Sequence, residues 1–237
     1  MSQTAINLVA ISVFLMTFST LLGPLIHLSP TIPALATVTF LGIATLDNFS
    51  FQGKGGTIFL DFLARFSPEY KERILHHEAG HFLVAHLLEI PITGYTLSAW
   101  EAWKQGQPGQ GGVSIDDREL TTQIEKGEIS AQILDRYCTI LMAGIAAENL
   151  IFNSAEGGND DKIKLMQFLQ GLGFSEAIYQ QKQRFYLLQS KNLIQENWES
   201  YQALVEAMRK GVSAMECLEV IISRRSAETQ SAEEENI

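Results

Sequence analysis

His77-Glu78-Ala79-Gly80-His81 is the stretch whose reading decides the fold. It lies inside Pro68–Glu89, which reads as one helix. Ser67 suits the N-cap, Pro68 the first helical position, and Glu69 the positive end of the helix dipole. Pro91 requires the helix to stop before it. Residues four apart share a helix face, so His77 and His81 can hold one metal ion, with Glu78 beside them to reach a metal-bound water. This is the H-E-x-x-H pattern of zinc peptidases. The plainer alternative is two packed histidines. Against it, the chain has five histidines and three of them fall between His76 and His81. Histidine and glutamate are also poor choices for a core-facing helix unless something pairs them.

A zinc site of this kind needs a third protein ligand. The extension of the motif to a nearby third histidine fails, because Val84 and Leu87 occupy its glycine and histidine positions. The ligand therefore comes from farther along the chain, with Asp160, Asp161 and Glu148 as candidates. Glu148 stands on the otherwise apolar segment Ile129–Phe152, which reads as a helix, and could instead hold a ligating histidine from behind or be an exposed carboxylate at a helix end. Asp160 and Asp161 open the next helix, Asp160–Leu169, where the plainer role is capping.

Before the motif, Ala5–Leu28 has no Asp, Glu, Lys or Arg over about 24 residues, long enough for a membrane span. Met1–Thr4 carries no basic residue, which favours a retained anchor over a cleaved signal peptide. Thr31–Leu46 is a second apolar run of about 16 residues, short for a span unless tilted. Residues 1–52 are thus expected to be a membrane anchor of two transmembrane helices. One span followed by a buried or interfacial helix is the alternative. Lys54, Arg65, Lys71 and Arg73 follow the second run, so the positive-inside rule puts the following domain on the cytoplasmic side, or the equivalent side of an internal membrane. Residues 53–66 read as an amphipathic linker.

Ile92–Ala99 and Gly111–Ile115 read as two short strands that pair, separated by a loop over Trp100–Gln110. A strand edge beside a metal could hold an extended peptide; a plain surface hairpin is equally compatible with the residues. Ser175–Arg225 predicts two or three covering helices, and residues 226–237 an acidic disordered tail. The net charge of −10, with 27 acidic and 17 basic residues, excludes non-specific nucleic-acid binding. Cys138 and Cys217 form no C-x-x-C pair and read as buried thiols. The fold class expected is mainly α with a small β-hairpin, the domain occupying residues 67–225.

Taken in order, His77–His81, Leu134-Asp135-Arg136, Ala143-Gly144-Ile145-Ala146-Ala147-Glu148 and Gly158-Asn159-Asp160 resemble the peptidase domain of the FtsH family of membrane-bound zinc proteases. The resemblance runs from about Ser67 to about Gly173. It implies Zn²⁺ bound by His77, His81 and Asp160, with Glu78 as catalytic base and polypeptides as substrates. Ala143, Ile145 and Asn149 depart from the family pattern at positions that are neither metal nor catalytic. The family's ATPase module is absent from the chain. No G-x-x-x-x-G-K-[ST] sequence occurs, and the roughly 20 residues between Leu46 and Ser67 cannot hold one. The expectation is a membrane-anchored zinc metalloendopeptidase in protein quality control, possessing no ATPase of its own and acting as a homo-oligomer or with a separate ATPase. The alternative is a proteolytically silent adaptor of a full-length FtsH-type protease.

Overall fold

In a computed structural model, residues 3–27, 29, 31–50, 67–104 and 112–234 are described, some by backbone alone. The expected linker 53–66 lies outside them. The described residues are mainly helical, with one two-stranded antiparallel sheet. The chain divides into two compact units, Met1–Pro68 with Ser98–Gly111, and Glu69–Leu97 with Gly112–Ile237.

The first unit contains helix α1 (Gln3–Leu22), a 3₁₀ turn (Gly23–Ile26) and α2 (Thr31–Ser50). His27 takes a left-handed conformation (φ 58°) as the chain turns back. Thr37 Oγ1 lies 3.5 Å from Met16 Sδ across the two helices. Thr17, Thr20 and Thr37 each donate to the carbonyl four residues earlier, so these hydroxyls need no water. Phe14, Leu21, Leu25, Leu35 and Val38 are exposed. Among the described residues no helix is long and apolar enough to cross a membrane; the described side chains of α1 begin at Ala10. A short helix, α4 (Ala99–Lys104), occupies part of the stretch expected to be a loop. The Ser98 hydroxyl accepts from Glu101 N–H at 2.9 Å, an N-cap that starts it.

The second unit is built on α3 (Pro68–Leu87). This helix ends two residues earlier than expected, because Glu89 adopts φ 58° and Ile90 N–H donates back to Ala85 O. That is a Schellman-type close with a non-glycine residue at the turn. β1 (Ile92–Thr96) pairs with β2 (Gly112–Ile115), Tyr95 opposite Val113. Tyr95 packs edge-on against Phe82, and its hydroxyl donates to Val212 O. After α5 (Arg118–Glu125), Ser130 caps α6 (Ala131–Phe152) by accepting from Ile133 N–H.

Apolar on both sides, α6 is buried between two clusters. Ile140, Ala143 and Ala147 join Phe82, Leu83, Tyr201, Leu204 and Met208. Cys138, Met142 and Ile145 join Leu165, Leu169 and Tyr186. α7 (Asn159–Gly171), α8 (Glu176–Glu196), α9 (Trp198–Arg209) and α10 (Ala214–Glu234) complete the unit. α10 passes through Ser226, where the acidic composition suggested disorder. Its Ala, Glu and Gln are strong helix formers and outweigh the charge. Both cysteines are free and buried.

Candidate metal centre

α3 and α6 touch where their side chains are smallest. A Cβ on Gly80 would stand 2.6 Å from Ala143 O and 2.8 Å from the Ala147 Cβ. A Cβ on Gly144 would lie 2.3 Å from His77 Nε2, so this glycine makes the space that the ring occupies. Ala143, Gly144 and Ala147, small residues legible in α6, thus leave room for the histidine-bearing helix.

His77 Nε2 and His81 Nε2 are 3.1 Å apart. Asp161 Oδ2 lies 3.0 Å from the first and 3.5 Å from the second. All three residues are buried, each with about a tenth of its surface open: 9%, 9% and 8%. A tetrahedral zinc with bonds of about 2.0–2.1 Å spaces its ligand atoms about 3.3 Å apart. The three observed edges bracket that value, and this group could hold a metal ion.

Donor chemistry points the same way. His77 Nδ1 lies 2.7 Å from Glu148 Oε1, and His81 Nδ1 lies 2.7 Å from Ile140 O. A carboxylate and a carbonyl only accept, so each Nδ1 carries the hydrogen and each Nε2 turns a lone pair inward. Two lone pairs and a carboxylate oxygen then converge, which requires a cation. In the absence of a metal, a proton on His77 fills that place. Burial opposes its charge, but the hydrogen bonds to Asp161 and Glu148 prevail and push the ring's pKa up to about 10. Asp161 is shifted the other way: burial raises its pKa, and the charges and hydrogen bonds of His81 and His77 more than reverse that.

Glu148, 1% exposed, is not one of the three converging ligands. Besides His77 it accepts from the N–H groups of Glu156 and Gly157, in the turn that leads into α7. A Cβ on Gly157 would stand 2.5 Å from its Oε1. Arg73 Nη1 lies 3.6 Å from Glu148 Oε2 and also donates to Ser154 O. Its guanidinium sits 4.4 Å from the Phe152 ring centroid. Glu148 thereby orients the His77 ring and fastens the loop that delivers Asp161. Burial raises its pKa, and the His77 hydrogen bond together with these two N–H groups overcomes the rise to leave it lowered.

The carboxylate that reaches the histidines belongs to Asp161, whereas Asp160, expected from the resemblance, is exposed. Gly158, at φ 76°, starts α7, and one residue along a helix is a turn of about 100°. That step carries Asp160 to solvent and Asp161 to the site. A Cβ on Gly158 would meet Ile145 Cγ1 at 2.2 Å, so the starting point of the helix is held by packing as well as by φ.

Glu78 is half-buried and close enough for its charge to act on His77. Its Oε2 accepts from Val113 N–H on β2 at 3.0 Å. Sequence reasoning missed Val113, Arg73, the Ile140 carbonyl and the particular duty of Gly144. Main-chain groups leave no mark in a sequence, and Arg73 reads there as an ordinary basic flank. A groove lined by Glu206, Lys210, Glu216 and Arg224 shares no residue with the metal cluster, and its lining offers none of this chemistry. No protein-family model and no curated protein matches the chain.

Proposed function

We propose that the chain is a membrane-anchored zinc metalloendopeptidase of FtsH type that works without an ATPase of its own. The observation carrying this reading is the convergence of His77, His81 and Asp161 on one point, with Glu78 from the same helix turn beside them. Two histidines and one carboxylate leave a fourth position open, the arrangement of catalytic rather than structural zinc. Zinc held there would supply Lewis-acid activation of a water and of the scissile carbonyl. With zinc held there, Glu78 would act as the general base and acid, accepting a proton from water and donating it to the leaving amine. Glu148 keeps the His77 ring in the tautomer that presents Nε2. The edge of β2 next to Glu78 offers main-chain hydrogen bonds to an extended peptide.

The anchor rests on α1 and α2. Gln3–Leu22 contains no charged residue, apolar side chains of both helices are exposed, and their threonines bond to their own backbone. Retention in the membrane pellet after carbonate extraction checks this part, and release into the supernatant counts against it. An enzyme of this composition cuts polypeptides that already present extended segments, at a rate indifferent to ATP. Stimulation of the pure protein by ATP would overturn that.

The test of the reaction is Glu78→Gln on unfolded casein, with a chelator control. Metal content should stay and hydrolysis should vanish. An active Glu78→Gln protein sinks the assignment. A wild-type protein that binds zinc yet cuts nothing turns the reading to the silent adaptor.

A further inference from the structure

Arg73 stands on α3 one turn before His77, on the face that carries both histidines. Its guanidinium reaches the turn between α6 and α7. Nη1 donates to Ser154 O at 3.1 Å, Nη2 lies 3.5 Å from Glu156 Oε1, and the group sits 4.4 Å from the Phe152 ring centroid. Nη1 is also 3.6 Å from Glu148 Oε2, and Nη2 donates to Glu69 Oε1 at 3.3 Å. Asn153 at φ 55° and Gly158 at φ 76° bracket this turn. Two side chains fasten the backbone between them, Glu148 through the N–H groups of Glu156 and Gly157, and Arg73 through the carbonyl of Ser154. Burying a guanidinium is costly, and the buried Nε of Arg73 has no hydrogen-bond partner among the described residues. An apolar side chain of similar volume would serve the core at least as well. Stability of the fold therefore does not account for an arginine here.

We propose, resting on the zinc reading of the site, that Arg73 is a positioning residue of the metal centre, which holds the 153–158 turn where α7 presents Asp161 to the histidines. Arginine and histidines share one helix, so the turn is placed against the same element that supplies two of the three ligands. α7 begins where the turn ends, and Asp161 lies in its first turn. A displaced turn therefore displaces the carboxylate with it. Ligand positions must be held to within about 0.5 Å for a site to work, so a small slip is enough to weaken the metal. Lysine would keep a positive charge beside Glu148, but as a point charge on a flexible stem. It lacks the planar fork that meets Ser154 O and Glu156 together and lies over Phe152. Position, rather than charge alone, is what the arginine supplies.

The experiment uses the full chain in detergent, stripped of metal and reloaded with zinc or cobalt(II), and needs no substrate. Competition with a chromogenic chelator gives the zinc affinity, and the visible spectrum of bound cobalt reports coordination geometry. Arg73→Met should weaken zinc by about tenfold or more and change the cobalt spectrum, as Asp161 no longer keeps its place. Arg73→Lys should show most of the same loss. His76→Ala, which loses packing on the other face of α3, should keep both affinity and spectrum. Three results would overturn the proposal. One is an Arg73→Met protein with wild-type affinity or an unchanged cobalt spectrum. Another is wild-type affinity in Arg73→Lys, which makes charge beside Glu148 the whole effect. The third is an equal loss in His76→Ala, which makes the effect a general loosening of α3. If Arg73→Met does not fold, Arg73→Lys decides alone. A wild-type protein that takes up neither metal defeats the zinc reading itself and is distinct from these.

Discussion

His76 and His77 are neighbours on α3 and meet opposite surroundings. His77 turns to α6 and α7, between the carboxylates of Glu148 and Asp161. His76 turns to α9, where its Nδ1 lies 2.9 Å from the Tyr201 hydroxyl, and its ring meets Phe152 edge-on. Tyr201 donates its one proton to the His76 carbonyl, so the ring acts as donor to the hydroxyl oxygen. Burial lowers the pKa of His76, whereas for His77 two buried carboxylates reverse the same penalty. Burial is common to both rings, and the acceptors around each decide what it can bind. One face of α3 carries the histidines that could hold a metal ion, and the other is an aromatic seam that fastens the helix to the core.

The contrast breaks most completely at Gly144. Gly144→Ala places a methyl group on the His77 ring, so metal should be lost along with about 1–3 kcal/mol of stability, read by elemental analysis and urea denaturation. Retention of full metal content would show that the ring has another place to go. The histidines themselves come next. His77→Ala should empty the site, while His76→Ala should keep the metal and lose only packing. Equal metal loss in both would mean that the two faces are not independent. Glu148→Gln should weaken metal binding by about 10- to 100-fold, because the ring loses its charged acceptor while the side chain keeps its shape. Competition with a chromogenic chelator measures this.

The two faces also differ in the sign of their pH dependence. His77 has a folded pKa of about 10 against 6.5 for the unfolded ring. In chelator-treated protein its contribution is fully present below pH 6.5 and is lost as pH rises towards 10. Metal displaces that proton, so zinc should flatten the alkaline limb of the stability curve. His76, with its folded pKa lowered, contributes above 6.5 and loses that contribution as pH falls through its folded value. Denaturant titrations across pH, with zinc or with chelator, read both limbs. An alkaline limb unaffected by zinc would contradict the assignment of His77. The smallest effect is expected at the exposed Arg209–Glu72 pair, on the edge of the aromatic face. Arg209→Gln should cost less than about 1 kcal/mol and leave the metal untouched.

Much of this was legible in the residues. Ser67, Pro68 and Pro91 bracket α3 in the sequence, and the histidine spacing marks its metal face. Alternation marks the hairpin, and the small residues of α6 announce a close helix contact. The choice between Asp160 and Asp161 was not legible, because it depends on the rotational phase of α7. Gly158 and its packing on Ile145 set that phase, and no local pattern reports it. α4 was hidden because a serine cap starts it inside a stretch that otherwise reads as a glycine- and glutamine-rich loop. The end of α10 was hidden because charge and helix propensity pull opposite ways there. The bond between Glu78 and Val113 joins a side chain to a main-chain group about 35 residues away, so no spacing rule finds it.

The central claim is that His77, His81 and Asp161 hold one divalent metal. The most direct measurement is the metal content of protein purified without chelator, compared for wild type, Asp161→Asn and Asp160→Asn. The structure predicts one metal per chain in the wild type and in Asp160→Asn, and its loss or severe weakening in Asp161→Asn. A wild type without stoichiometric metal, or a site emptied by Asp160→Asn and spared by Asp161→Asn, would contradict it.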